Sequence, residues 1–200
     1  MRKTLFILLT ILLVTEASGN SVKIFQGLNL SRYSGTLYEE NVWKLRLGFA
    51  SGLGYEIDFG SHIGLEIDAL FIQKGSKEEV IENGVRQYTI NYALNEISIP
   101  IFLKFNLKTD LSLYFLAGGE FSLILSHKVE AEGAEIGISP RKTRGSYHGL
   151  AFGSGFGRKI RTAFPFIEIQ YHLGLTNILE KSEDRSYKPS AILFLLGLRF

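Results

Sequence analysis

The residues of this chain best able to do chemistry are ionic side chains spaced two apart. Lys44 and Arg46, Glu56 and Asp58, and Glu66 and Asp68 are such pairs. Glu96, Lys104, Glu120, Glu168 and Arg199 fall on the polar parity of other alternating segments. Small residues share that parity, among them Gly48, Ala50, Gly52, Gly54, Gly64, Gly149 and Gly153. Successive strand residues point to opposite faces, so a spacing of two gathers these groups on one face of a β-strand. Both signs of charge are present, as a buried network needs if its charges are to be paired. Such a set can serve as an ion or proton path, or as a structural plug of salt bridges. The same spacing admits both.

Other chemistries find less support. The chain has no Gly-x-Ser-x-Gly, no His-Glu-x-x-His and no Walker-type phosphate loop. Gly153–Ser154–Gly155–Phe156–Gly157 looks like a glycine-rich loop, yet it lies within an alternating segment, where small residues serve packing. The four histidines, His62, His127, His148 and His172, are widely spaced. His148 is the candidate for a triad at a loop end, acting on lipid or peptide. His172 reads as a hydrogen-bonded interior residue near Glu168. With no cysteine, disulfides, thiolate metal sites and cysteine nucleophiles are excluded. No cofactor or metal is expected. A formal net charge of +2 gives no argument for a nucleic-acid partner.

The elements that would position these groups are long strands. From Lys44 to Phe59, odd positions carry Leu45, Leu47, Phe49, Leu53, Tyr55, Ile57 and Phe59, and even positions carry the charges and glycines. Globular strands run about 5–6 residues, whereas a tilted strand crossing a bilayer needs about 9–11. Similar alternation predicts strands at about Val22–Tyr33, from Ile63, at Tyr88–Phe105, Leu111–Leu125, Tyr147–Gly157, Phe164–Leu175 and Ala191–Phe200. In Tyr88–Phe105 the apolar parity changes between Leu94 and Ile97, which predicts a bulge near Asn95.

Connections alternate in length. Gly60–Ser61, Asn106–Asp110 and Arg158–Thr162 are short; Ser34–Val42, Gly75–Gln87, Ser126–Ser146 and Thr176–Ser190 are long and polar. That asymmetry predicts an all-β fold, an eight-stranded antiparallel transmembrane β-barrel with short periplasmic turns and four long extracellular loops. Tyr33, Trp43, Tyr88, Tyr147 and Tyr187 fall at the long-loop ends; Phe25, Phe59, Phe105, Phe164 and Phe200 fall at the other ends. They predict two aromatic belts at the headgroup levels. The glycine-rich parity suits a narrow lumen that side chains must fill, which places the apolar face against lipid. A lipocalin-like soluble carrier of an apolar ligand would reverse that facing, but the usual Gly-x-Trp near the first strand is missing. Residues 1–19 read as a signal peptide, with a basic start, the apolar run LFILLTILLV and small residues at Ala17 and Gly19. Residues 20–200 then form one outer-membrane barrel domain.

Several segments resemble the PorT-like outer-membrane β-barrel family of Bacteroidota. Glu96–Phe105 (EISIPIFLKF) is similar to its EIPLLLKY segment, Leu113–Gly119 (LYFLAGG) to PYLLAGP, and His148–Gly157 (HGLAFGSGFG) to DFGLVFGAGF. Gln170–Asn177 (QYHLGLTN) resembles RYSLGLTN, and Leu196–Phe200 (LGLRF) the family's last strand ending in Phe. Two positions depart from the pattern: His148 replaces an aspartate and Asn95 a tyrosine. The resemblance implies the outer membrane of a diderm bacterium, with lipids and lipopolysaccharide as surroundings. It implies periplasmic chaperones and the barrel-assembly machinery as partners in biogenesis, with Phe200 in the position of the assembly signal. The expected role is structural, adhesive or secretion-accessory, exercised through the loops over a plugged lumen. Its alternatives are an outer-membrane enzyme and the soluble carrier. Among the loops, Gly75–Gln87 carries both signs of charge, and Arg141, Lys142 and Arg144 could meet lipopolysaccharide phosphates.

Overall fold

A computed structural model describes residues 20–35, 42–82, 85–107, 112–132, 143–180 and 186–200. The expected signal peptide, most of the first long loop, Arg141 and Lys142 lie outside the described residues. The strands are β1 (Ser21–Ser34), β2 (Val42–Lys44), β3 (Arg46–Asp58), β4 (Ile63–Glu82), β5 (Val85–Leu107), β6 (Leu113–Glu132), β7 (Ser146–Gly157), β8 (Phe164–Gly174) and β9 (Lys188–Arg199). All pairing is antiparallel. β1 lies between β3 and β9, and β4 pairs with both β3 and β5, so the sheet closes on itself. β2 and β3 are two pieces of one stave, broken at Leu45, and the ring has eight staves.

Alternation explains the lower part of the wall. From Ile63 to Phe71, odd residues of β4 face outward while Gly64, Glu66, Asp68 and Leu70 face in. Those nine residues rise about 30 Å along the strand, which at the usual tilt matches an apolar band of about 25 Å. Ile24, Leu53, Ile101, Phe115, Phe152 and Phe194 are among the large apolar side chains exposed around this band. Water would not tolerate so continuous an apolar surface on a monomer.

Above the band the pattern inverts. β5 keeps one parity throughout: Lys104, Phe102, Ser98, Glu96, Leu94, Tyr92 and Ile90 are all buried. The apolar residues at its start therefore face the interior, and Asn95, Asn91 and Thr89 take the outside. The parity change expected to mark a bulge in this strand marks instead where hydrocarbon ends and water begins. A register shift does fall at Asn95/Glu96, but the additional residue, Leu125, is in β6. That bulge turns β6 over, so that Ser122 and Ile124 face inward below it and His127 and Val129 above it.

The expected long loops are also partly strand. Within Gly75–Gln87, β4 stays paired with β5 up to Glu82 and Val85, and β6 continues to Glu132. With strands of 20, 23 and 20 residues, these three staves stand roughly 20 Å above the apolar band. β8, at 11 residues, does little more than span it.

Candidate functional site

The interior of the ring is filled by side chains in three tiers. At the periplasmic end Lys23 bonds Glu66 and lies 3.1 Å from Asp68 Oδ2 and 3.5 Å from Glu168 Oε1. Lys104 bridges Glu56 Oε1 (2.8 Å) and Glu66 Oε2 (2.9 Å), and Arg199 reaches Glu56 Oε2 at 2.8 Å. The Tyr114 hydroxyl donates to Glu168 (2.7 Å), while its ring lies under the Lys104 ammonium, 4.2 Å away. Glycine makes the room for this crowding. A Cβ on Gly54 would sit 2.2 Å from Asp68 Oδ1, and one on Gly155 would sit 2.3 Å from Tyr114 Oη. The oxygens of Glu66, Asp68 and Glu168 converge within 4.8 Å, close enough for a metal ion. The Lys23 ammonium touches all three and supplies positive charge there.

The second tier is joined to the first by Gln170. Its amide donates to Glu168 (2.5 Å) and Asp68 (3.4 Å), which turns its oxygen toward His172 Nε2 at 2.7 Å. His172 Nδ1 faces Glu120 at 2.9 Å, so both ring nitrogens meet acceptors. Lys74 lies 2.9 Å from Glu96 and 3.1 Å from Glu120, and donates to the Tyr147 hydroxyl at 3.0 Å. Ser98 and Ser122 donate to the same Glu120 oxygen. Lys23, Glu66, Asp68, Lys74, Glu96, Glu168 and His172 are all buried.

The third tier is apolar and aromatic. Tyr33 stacks on Tyr187 at 5.4 Å, Trp43 meets both edge-on, and Tyr92 packs between Trp43 and the His127 ring. Ile178 and Leu179, from the connection after β8, fold inward onto this group. The Tyr92 hydroxyl donates to buried Glu78 at 2.6 Å. Tyr33, Trp43, Tyr147 and Tyr187 were expected at the outer headgroup level. They lie inside and close the top of the lumen, because the polarity of the wall has already inverted at their height. Phe25 likewise faces inward. Phe59, Phe105 and Phe200 are exposed near the periplasmic ends of their strands.

Of the ionic residues singled out from sequence, Glu56, Glu66, Glu96, Lys104, Glu120, Glu168 and Asp68 meet inside, with Arg199 at the lower mouth. Two do not join them. Lys44 is exposed on the outer surface beside Glu79 (3.3 Å), because the slip at Leu45 turns Trp43 inward in its place. Asp58 is exposed at the last position of β3. Arg46, half-buried, lies in the wall beside the break at Leu45, donating to Asn91 Oδ1 and to the carbonyls of Gln73 and Lys74 rather than to the interior tiers. Sequence reasoning missed Lys23 and Lys74, which hold the two ionic tiers together. Lys23 lies on the parity opposite Val22 and Ile24, and Lys74 continues the even set of β4 one step past Ile72. His148 lies on the outside of β7 against Phe121, ring centroids 5.3 Å apart. Phe200 exchanges backbone hydrogen bonds with Val22, extending the pairing of β1 with β9.

A closed ring with an apolar skin and an ionic middle is an integral barrel of the bacterial outer membrane. The chain belongs to the outer membrane protein beta-barrel domain family, whose model matches residues 17–180. No curated protein sequence matches it. Among solved structures it is similar to the outer membrane protein OprG from Pseudomonas aeruginosa, with a TM-score of 0.61 at 13% identity over 92% of this chain and 96% of that one. Ail, the attachment invasion locus protein of Yersinia pestis, gives a TM-score of 0.46 at 20% identity, over 90% of this chain and 99% of that one. The likeness to OprG carries the fold.

Proposed function

We propose that this protein is a sealed anchor whose work is done by the parts standing outside the bilayer, in a structural or adhesive role. One observation carries the reading: ionic, hydrogen-bonded and aromatic tiers occupy the lumen in succession from Arg199 to Tyr33. Eight staves leave an interior just wide enough for side chains, whereas diffusion porins use 16–18 strands. The β4–β5 hairpin and the top of β6 then offer a rigid, polar outer surface, and binding residues concentrate on such protruding segments. The exposed Arg144 suits lipopolysaccharide phosphates. Phe200 serves as the assembly signal for the barrel-assembly machinery, after delivery by periplasmic chaperones. The protein is not an enzyme in this reading: His148 rests on Phe121 on the outside of the wall rather than beside an acid and a nucleophile. The PorT-like segments favour that branch of the family and supply the only support for a secretion-accessory role.

Planar-bilayer recording tests the sealed lumen: purified wild type adds no steady conductance, and a reproducible open level of wild type overturns the reading. On cells, replacing the hairpin beyond Ser76 and Tyr92 by a short turn abolishes surface adhesion while the barrel stays heat-modifiable. Adhesion unchanged by that replacement places the function elsewhere.

A further inference from the structure

The outward positions of β1 across the apolar band are Val22, Ile24, Gln26, Leu28 and Leu30. Gln26 is the middle one, at the midplane of the bilayer, and it is exposed. Among the described residues its amide has no hydrogen-bond partner. Its strand neighbours are Ser51 on β3 and Leu196 on β9. Ser51, Gly52 and, opposite Leu53 on β4, Ala69 are short, and they leave a recess of about 730 Å³ in the outer wall, rimmed by Ile24, Leu53, Phe71 and Leu196.

We propose that this recess is a self-association surface, occupied by the same recess of a second copy of this chain. The choice follows from depth and chemistry. Acyl tails at the midplane carry no donor or acceptor, and headgroups do not reach it, so lipid cannot satisfy the amide. A carboxamide holds one acceptor oxygen and two donor hydrogens, so it is complementary to itself across a twofold axis. Glutamine side chains promote association in membranes for this reason, and small neighbours let the two walls approach.

The chain's lack of cysteine makes the test direct. Ser51→Cys places one thiol in the recess, and Ala117→Cys places one on the opposite wall, on β6. In phospholipid vesicles at low protein density, oxidation cross-links the Ser51→Cys protein to a dimer and leaves the Ala117→Cys protein monomeric. Adding Gln26→Leu weakens that association roughly three- to tenfold. The leucine suits hydrocarbon, so the variant stays folded and heat-modifiable. Equal cross-linking at both positions, a dimer insensitive to Gln26→Leu, or a monomer with the recess filled by lipid alone overturns the proposal.

Discussion

Replacing Lys23 by methionine probes the reasoning about the lumen most sharply. The substitution keeps the length of the side chain and removes the ammonium that touches Glu66, Asp68 and Glu168. The three carboxylates are not equally hurt. Glu66 keeps Lys104, and Glu168 keeps the Tyr114 hydroxyl and Gln170. Asp68 keeps only the Gln170 amide at 3.4 Å, and its Oδ1 has no hydrogen-bond partner. Breaking a buried pair from one side typically costs about 3–5 kcal/mol, since a charge is left without compensation. Most of that cost falls on Asp68, so adding Asp68→Asn recovers much of it, with a coupling of roughly 2–3 kcal/mol in the double-mutant cycle. Urea unfolding from lipid vesicles, followed by the fraction that migrates as folded barrel in unheated gels, measures each term. A Lys23→Met protein within about 1 kcal/mol of wild type would refute a paired, water-free network. So would a double variant no more stable than Lys23→Met alone.

Three further outcomes follow from the same geometry. Leu53→Arg, beside the midplane, costs about 2–4 kcal/mol of folding free energy in vesicles, whereas Leu47→Arg, nearer the outer edge, costs about 0–1; equal penalties would mean the band is misplaced. Gly155→Ala pushes a methyl into the Tyr114 hydroxyl and costs about 1–3 kcal/mol by overpacking, read from the same urea curves. Raising salt from about 0.1 to about 1 M leaves wild-type stability nearly unchanged, because buried pairs are screened far less than exposed ones; a steep loss would put water in the lumen.

The staves were legible because alternation with a period of two survives in every one of them. The spacing of two also puts Glu66, Asp68, Glu96 and Lys104 on one face, and all four are buried. What alternation cannot convey is the medium on each side. Ile90, Tyr92 and Leu94 have the pattern of outward apolar residues in a slipped strand, and the pattern of inward ones in a strand that has left the bilayer. The two readings differ only in what surrounds the wall. The tyrosines at the strand tops were misplaced for the same cause. Lys44 was lost to a different one: a single-residue slip at Leu45 leaves no mark in composition, yet it reverses every side chain on the short piece above it. Lys23 and Lys74 sat on the right parity, at points where the polar set had been cut short.

The inversion of the wall also sets the protein's draught. On β4, β5 and β6 the outer surface turns hydrophilic at Gln73, Asn95 and Lys128, and the rings of Phe59, Phe105 and Phe200 mark the opposite waterline. Riding deeper in a thicker membrane would submerge that hydrophilic rim. A thickness mismatch costs fractions of a kcal/mol per ångström, and thinning or thickening the adjacent lipid is the softer response. The paired upper stretch of β4 and β5 is therefore carried at a constant height over the headgroups whatever lipid surrounds the barrel.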